Sequence, residues 1–185
     1  MICERHLIEY CAPTLASLKT GNLFRIPCRC HEALETSLQQ LRRKLEPKGV
    51  SLEVVHHYPQ NVLVYVYRPV RLQQDLKQPG AAKLLRECGY EGTSVEQALA
   101  HLKKRIAAAD GFPHEIGLFL GYPLGDVMGF IENRGKNCKC VGCWKVYCDE
   151  CEAQKMFARF DKCYAVYRRL FAEGRRSLCQ LTVAA

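Results

Sequence analysis

The stretch SLEVVHHYPQNVLVYVYR, residues 51–68, decides how this chain folds. Two runs rich in β-branched and aromatic residues, 51–58 and 61–68, flank Pro59-Gln60, and a turn there makes them an antiparallel hairpin. In the second run Val62, Val64 and Val66 alternate with Leu63, Tyr65 and Tyr67, so both strand faces are apolar. Such a strand belongs in the middle of a sheet that is covered on both sides.

Working outward, NLFRIP (22–27) reads as a further short strand. A helix is predicted from about His31 to Glu46, with Leu34, Leu38, Leu41 and Leu45 on one face and Pro47 and Gly49 as its stop. Helices dominate next. Pro79-Gly80 separates a short helix from AAKLLRECGY, and Ser94 with Gln97 caps a helix carrying Val95, Ala98, Leu99, Leu102 and Ile106. Asp149 and Glu152 cap a long helix that Gly174 ends, and SLCQLTVA (177–184) reads as a closing strand. The expectation is an α+β chain forming a single domain, 1–185. It would have a mixed sheet with an antiparallel hairpin, several packed helices, a long C-terminal helix and a closing strand.

Composition narrows the function. Apolar residues make up 48% and charged residues 25% of 185, the balance of a soluble globular protein. No apolar run approaches the roughly 20 residues of a membrane helix. The start, MICERHLIEYCAPTLA, carries Glu4, Arg5 and Glu9 where a signal peptide needs a continuous apolar stretch, so a cytoplasmic location is expected. Twelve cysteines would then be reduced and available as metal ligands, reactive thiols or small buried hydrophobes. Lys and Arg exceed Asp and Glu by 27 to 19, with clusters at 41–48, 101–105 and 167–176. These read as solvated helix faces, and the charge permits nucleic acid as a partner without requiring it.

Residues 113–134 read as a helical hairpin, with Ile116 and Leu120 facing Val127 and Ile131 across a turn at Gly121 and Pro123. That is helix-turn-helix spacing. The second helix, PLGDVMGFIEN, offers Asp126 and Glu132 but no Arg, Lys or Gln to reach bases or phosphates. His114-Glu115 lacks the second histidine of H-E-x-x-H, so the pair is either an acid/base couple beside a pocket or a local helix-start device. Neither G-x-x-x-x-G-K-[ST] nor a post-strand G-x-G-x-x-G is present, which leaves phosphate-cradle nucleotide binding without support.

The cysteine-rich run NCKCVGCWKVYCDEC (137–151) reads as loop, strand and turn. Cys138, Cys140 and Cys143 have the spacing of a thiolate site for zinc or an iron–sulfur cluster. Cys148 and Cys151 form a separate pair. An extended CWKVYC segment spans roughly 16 Å, whereas sulfurs on one zinc lie about 4 Å apart, so one metal cannot take all five. A fourth ligand would come from Cys28, Cys30 or His31. Alternatively Cys148 and Cys151 are a dithiol at a helix start, with Asp149 and Glu150 opposing thiolate formation.

FPHEIGLFLGYPLGDVMGFI (112–131), GCWKVY (142–147), CAPTLASLKTGNLF (11–24), VLVYVYRP and the closing SLCQLTVA together resemble an uncharacterised bacterial family, domain-of-unknown-function family 3793, seen largely in anaerobic Firmicutes. The resemblance covers nearly the whole chain and implies no activity. It implies that Cys140 recurs while Cys148 and Cys151 are particular to this chain, so a five-cysteine cage is not the family's shared feature. Three readings stand. One is a metal-binding or redox-accessory protein built on the cysteines. Another is a small-molecule binder or enzyme using His114, Glu115, Lys19 and Lys145. The third is a nucleic-acid-binding regulator using the helical hairpin.

Overall fold

The computed structural model describes residues 2–92, 94–108 and 112–184, which gather into two compact units. The first takes residues up to Val70 and from Lys162 onward, and the second runs from Arg71 to Asp161.

The first unit is built on a three-stranded sheet of β1 (Gly21–Pro27), β2 (Ser51–His57) and β3 (Asn61–Tyr67) in the order β1-β3-β2. The doubly apolar strand is therefore the central one. Val64 pairs with Phe24 on one side and Val54 on the other, and every residue of β3 from Val62 to Tyr67 is buried. Both pairings are antiparallel, so the sheet is antiparallel throughout rather than mixed.

Helices α1 (Glu4–Leu15) and α2 (His31–Leu45) supply the core with Leu7, Ile8, Cys11 and Leu15, and with Leu34, Leu38, Leu41 and Leu45. These pack with Val62, Val64 and Val66 of β3. The α2 leucines are those its periodicity predicts, and a single 3-10 turn carries the chain to Gly49, whose φ of 72° suits a glycine.

Helix α1 lies in a segment whose periodicity Pro13 interrupts. Without an N–H, Pro13 sits in the last turn, and its carbonyl accepts from the Leu18 and Lys19 amides. Buried Arg68 then locks this end. It donates to the carbonyls of Thr14, Leu15 and Val183, at 2.7–2.8 Å, placing a cation at a helix C-terminus.

The closing strand expected at 177–184 is instead a one-turn helix, α9 (Leu178–Leu181). Ser177 and Gln180 form a reciprocal capping box there, and Leu178 and Leu181 bury at helical spacing. A strand-like contact survives, Val183 N–H to the Leu15 carbonyl.

The second unit holds the helices α4 (Pro79–Glu87), α5 (Val95–Ala108), α6 (Ile116–Phe119) and α7 (Leu124–Glu132), and nearly all of α3 (Pro69–Lys77). A two-stranded hairpin of β4 (Cys140–Val141) and β5 (Lys145–Val146) follows, then the first half of the long helix α8 (Glu150–Ala172). The Ser94 cap of α5 is in place, its Oγ accepting from the Gln97 amide at 3.3 Å, while Thr93 and 109–111 lie outside the described residues. The Asp149 carboxylate likewise accepts from the Glu152 amide at 3.0 Å and starts α8.

Candidate ligand pocket

The hairpin β4–β5 is too short to hold itself together. Two residues per strand, Cys140 opposite Val146 and Val141 opposite Lys145, close a turn in which the Gly142 amide donates to the Trp144 carbonyl. Asp126 anchors it. This carboxylate is buried in the first turn of α7, where the helix N-terminus favours an anion. It accepts from Trp144 Nε1 at 2.8 Å and from the backbone amides of Tyr147 and Cys148 at 2.8 and 2.9 Å. One side chain thus satisfies a buried indole and two strand-end amides. The approach needs small residues. A Cβ on Gly129 would lie 2.6 Å from Tyr147, and one on Gly142 would overlap the Phe157 ring.

Trp144, 7% exposed, stacks near Tyr122 (centroids 4.9 Å apart, planes 28°) and meets the edge of Phe157 (4.5 Å, 76°). Between this cluster and the 112–131 segment lies a pocket of about 420 Å³. Its aromatic walls are Phe112, Tyr122, Phe130 and Trp144, and Ile116, Val127 and Val141 complete the apolar surface. Burial pushes the Tyr122 phenol up to about 12, so this wall is neutral at physiological pH. Asp126 also lines the pocket, but both its oxygens are already engaged by the three N–H donors.

Two basic side chains reach the pocket, and both lie against Phe130. The His114 ring meets it edge-on (5.0 Å, 62°), and the Lys145 ammonium is 5.8 Å from its centroid. Lys145 also donates to the Gly135 carbonyl at 2.7 Å.

The candidates from the sequence divide accordingly. His114 and Lys145 meet at the pocket. Glu115 does not join them. It is 2% exposed and held by Arg105 Nε at 2.5 Å and the Tyr90 hydroxyl at 3.2 Å, fastening α6 to the end of α5. Lys19 is a buried residue of the first unit and is not among the pocket walls.

The cysteine triad lies along the hairpin. Cys138 precedes it, Cys140 lies in β4 and Cys143 is at the exposed turn. The proposed donors Cys28, Cys30 and His31 belong to the first unit, where the His31 ring packs against His57. Among the described residues, no three His, Cys, Asp or Glu side chains are grouped so as to hold a metal ion. Burial and the neighbouring Glu150 raise the Cys140 thiol, and burial and Asp126 raise Cys148, which opposes thiolate formation at both.

Helix α7 keeps its hairpin partner α6, with Ile116 and Val127 buried and Leu120 and Ile131 half-buried. Tyr147 and Cys148 cover its glycine side, where a helix-turn-helix would present side chains to DNA. Among the described residues no helix is long and apolar enough to cross a membrane.

The role of Asp126 and the aromatic walls escaped the sequence reading. The available signal was pairwise: one acid in an apolar helix start and one tryptophan whose indole N–H needs an acceptor. No curated protein and no solved structure matches the chain. A family model described as a protein of unknown function, DUF3793, matches residues 7–182, and the chain belongs to that family.

Proposed function

We propose that this protein binds a small, ring-bearing apolar molecule in the pocket between the 112–131 segment and the β4–β5 hairpin. The observation that carries the reading is the pocket itself. Its 420 Å³ falls within the roughly 300–1,000 Å³ of small-molecule sites, and its walls are four aromatic rings and three aliphatic side chains. Flat apolar walls of this kind favour a flat apolar guest through area burial and offset ring stacking.

The two signatures FPHEIGLFLGYPLGDVMGFI and GCWKVY supply nearly every wall, so the most distinctive residues of the sequence are spent on making this cavity. The cysteine-based metal or redox reading has less behind it, given that no three ligand side chains group for a metal among the described residues and that the Cys140 and Cys148 thiols are raised. Nucleic-acid binding through α7 has less support still, because that helix is engaged with the hairpin.

Trp144 is the sole tryptophan and forms one wall, which gives binding a built-in reporter. Titration with the uncharged dye N-phenyl-naphthylamine is expected to quench Trp144 emission saturably, with energy transfer to the dye. Dye fluorescence that rises with no change at Trp144 would place binding elsewhere and overturn the reading.

A further inference from the structure

Resting on that reading, we infer that the ligand carries an anionic group, received by Lys145 and His114 at one end of the pocket. The first observation is the placement of Lys145. Its ammonium has three N–H donors, and the Gly135 carbonyl takes one of them. Among the described residues no carboxylate forms an ion pair with it. Asp126, the acid among the pocket's lining residues, is committed to Trp144 and two backbone amides. A half-buried cation beside apolar walls, with donors beyond the one given to Gly135, is placed to receive an anionic group, and the apolar surrounding strengthens that attraction.

The second observation is the loop that holds it. Arg134 and Asn137 adopt positive φ, 50° and 58°, flanking Gly135 at 72°. Left-handed backbone at two non-glycine residues costs energy that neighbouring contacts must offset. Here the Gly135 amide donates to the Phe130 carbonyl and the Lys136 amide to that of Asn133, a knot that turns the Gly135 carbonyl toward Lys145. The loop thereby holds the lysine head over the Phe130 ring, which the His114 ring also contacts edge-on. Lys145 and His114, from separate segments, both border Phe130 and line the pocket, and we assign the anion end to that wall and the apolar end to the remaining ones.

The test compares two dyes with the same ring pair, anilinonaphthalene sulfonate and the uncharged N-phenyl-naphthylamine, both read through Trp144 quenching in the full chain. The sulfonate is expected to bind at least about tenfold more tightly, the scale of one charge-assisted hydrogen bond. The margin should shrink as salt rises from about 50 mM to about 500 mM. Lys145→Met, which keeps the aliphatic stem over Phe130, should remove most of the sulfonate's preference over the uncharged dye. Lys145→Arg should retain the preference. Equal wild-type affinity for both dyes overturns the anion inference and leaves the pocket reading standing. Failure of both dyes to perturb Trp144 removes the pocket reading and this inference together. The wild-type comparison decides the matter even if a variant fails to fold.

Discussion

Two antiparallel hairpins among the described residues are held by opposite means. The one at 51–67 has seven-residue strands, and its second strand is buried along nearly its whole length. Many apolar side chains share the load, and deleting any one leaves the rest. The one at 140–146 has two residues per strand and depends on a single carboxylate, a single indole and two glycine approaches. Distributed burial makes a scaffold that tolerates change. Concentrated polar anchoring makes a site whose geometry is specified by few atoms and can fail by losing one.

The contrast is sharpest at Asp126. Asp126→Ala strips acceptors from a buried indole N–H and two backbone amides at once. It should cost roughly 3–5 kcal/mol, seen as a lower denaturation midpoint and red-shifted Trp144 emission. A loss below about 1 kcal/mol would mean that the hairpin is held by packing and the comparison is false. Val64→Ala, at the centre of β3, should cost less, roughly 1.5–3 kcal/mol, without altering Trp144 emission in the folded state.

A weaker effect follows from buried thiols. Burial raises the Cys163 thiol from 9.0 to about 11. The fold therefore prefers the protonated form. That contribution is complete below pH about 9 and is lost as pH climbs through about 11. Denaturation midpoints measured across this window should fall, and Cys163→Ala should flatten the slope; a midpoint that rises would reverse the sign of the argument. The smallest effect concerns Tyr147, whose buried hydroxyl has no hydrogen-bond partner among the described residues. Tyr147→Phe should leave stability unchanged or raise it by up to about 1 kcal/mol, whereas a clear loss would reveal an acceptor for that hydroxyl.

The same division governs what could be read from the sequence. The β3 run and the α2 leucines were legible because burial imposes a period, and a period is visible in one dimension. The caps at Ser94 and Asp149 were legible because the interaction is local. Helix α1 was hidden by Pro13, and the short helix α9 by a β-rich composition that its capping box overrides. At the pocket, His114 and Lys145 could be named but not joined, since they are 31 positions apart in sequence. Glu115, adjacent to His114, serves a different partner because successive residues at a helix start point in different directions. The cysteines drew attention by spacing, yet the antiparallel pairing of Cys140 with Val146 sets Cys140 in a strand and Cys143 at a turn.

The central claim, that the anchored hairpin and the 112–131 segment enclose a ligand site, is tested most directly by fluorine NMR of protein carrying fluorotryptophan at its one tryptophan, Trp144. The account predicts one sharp resonance that shifts saturably on titration with anilinonaphthalene sulfonate and broadens in Asp126→Ala. A resonance that stays fixed while the dye binds elsewhere on the protein would contradict it.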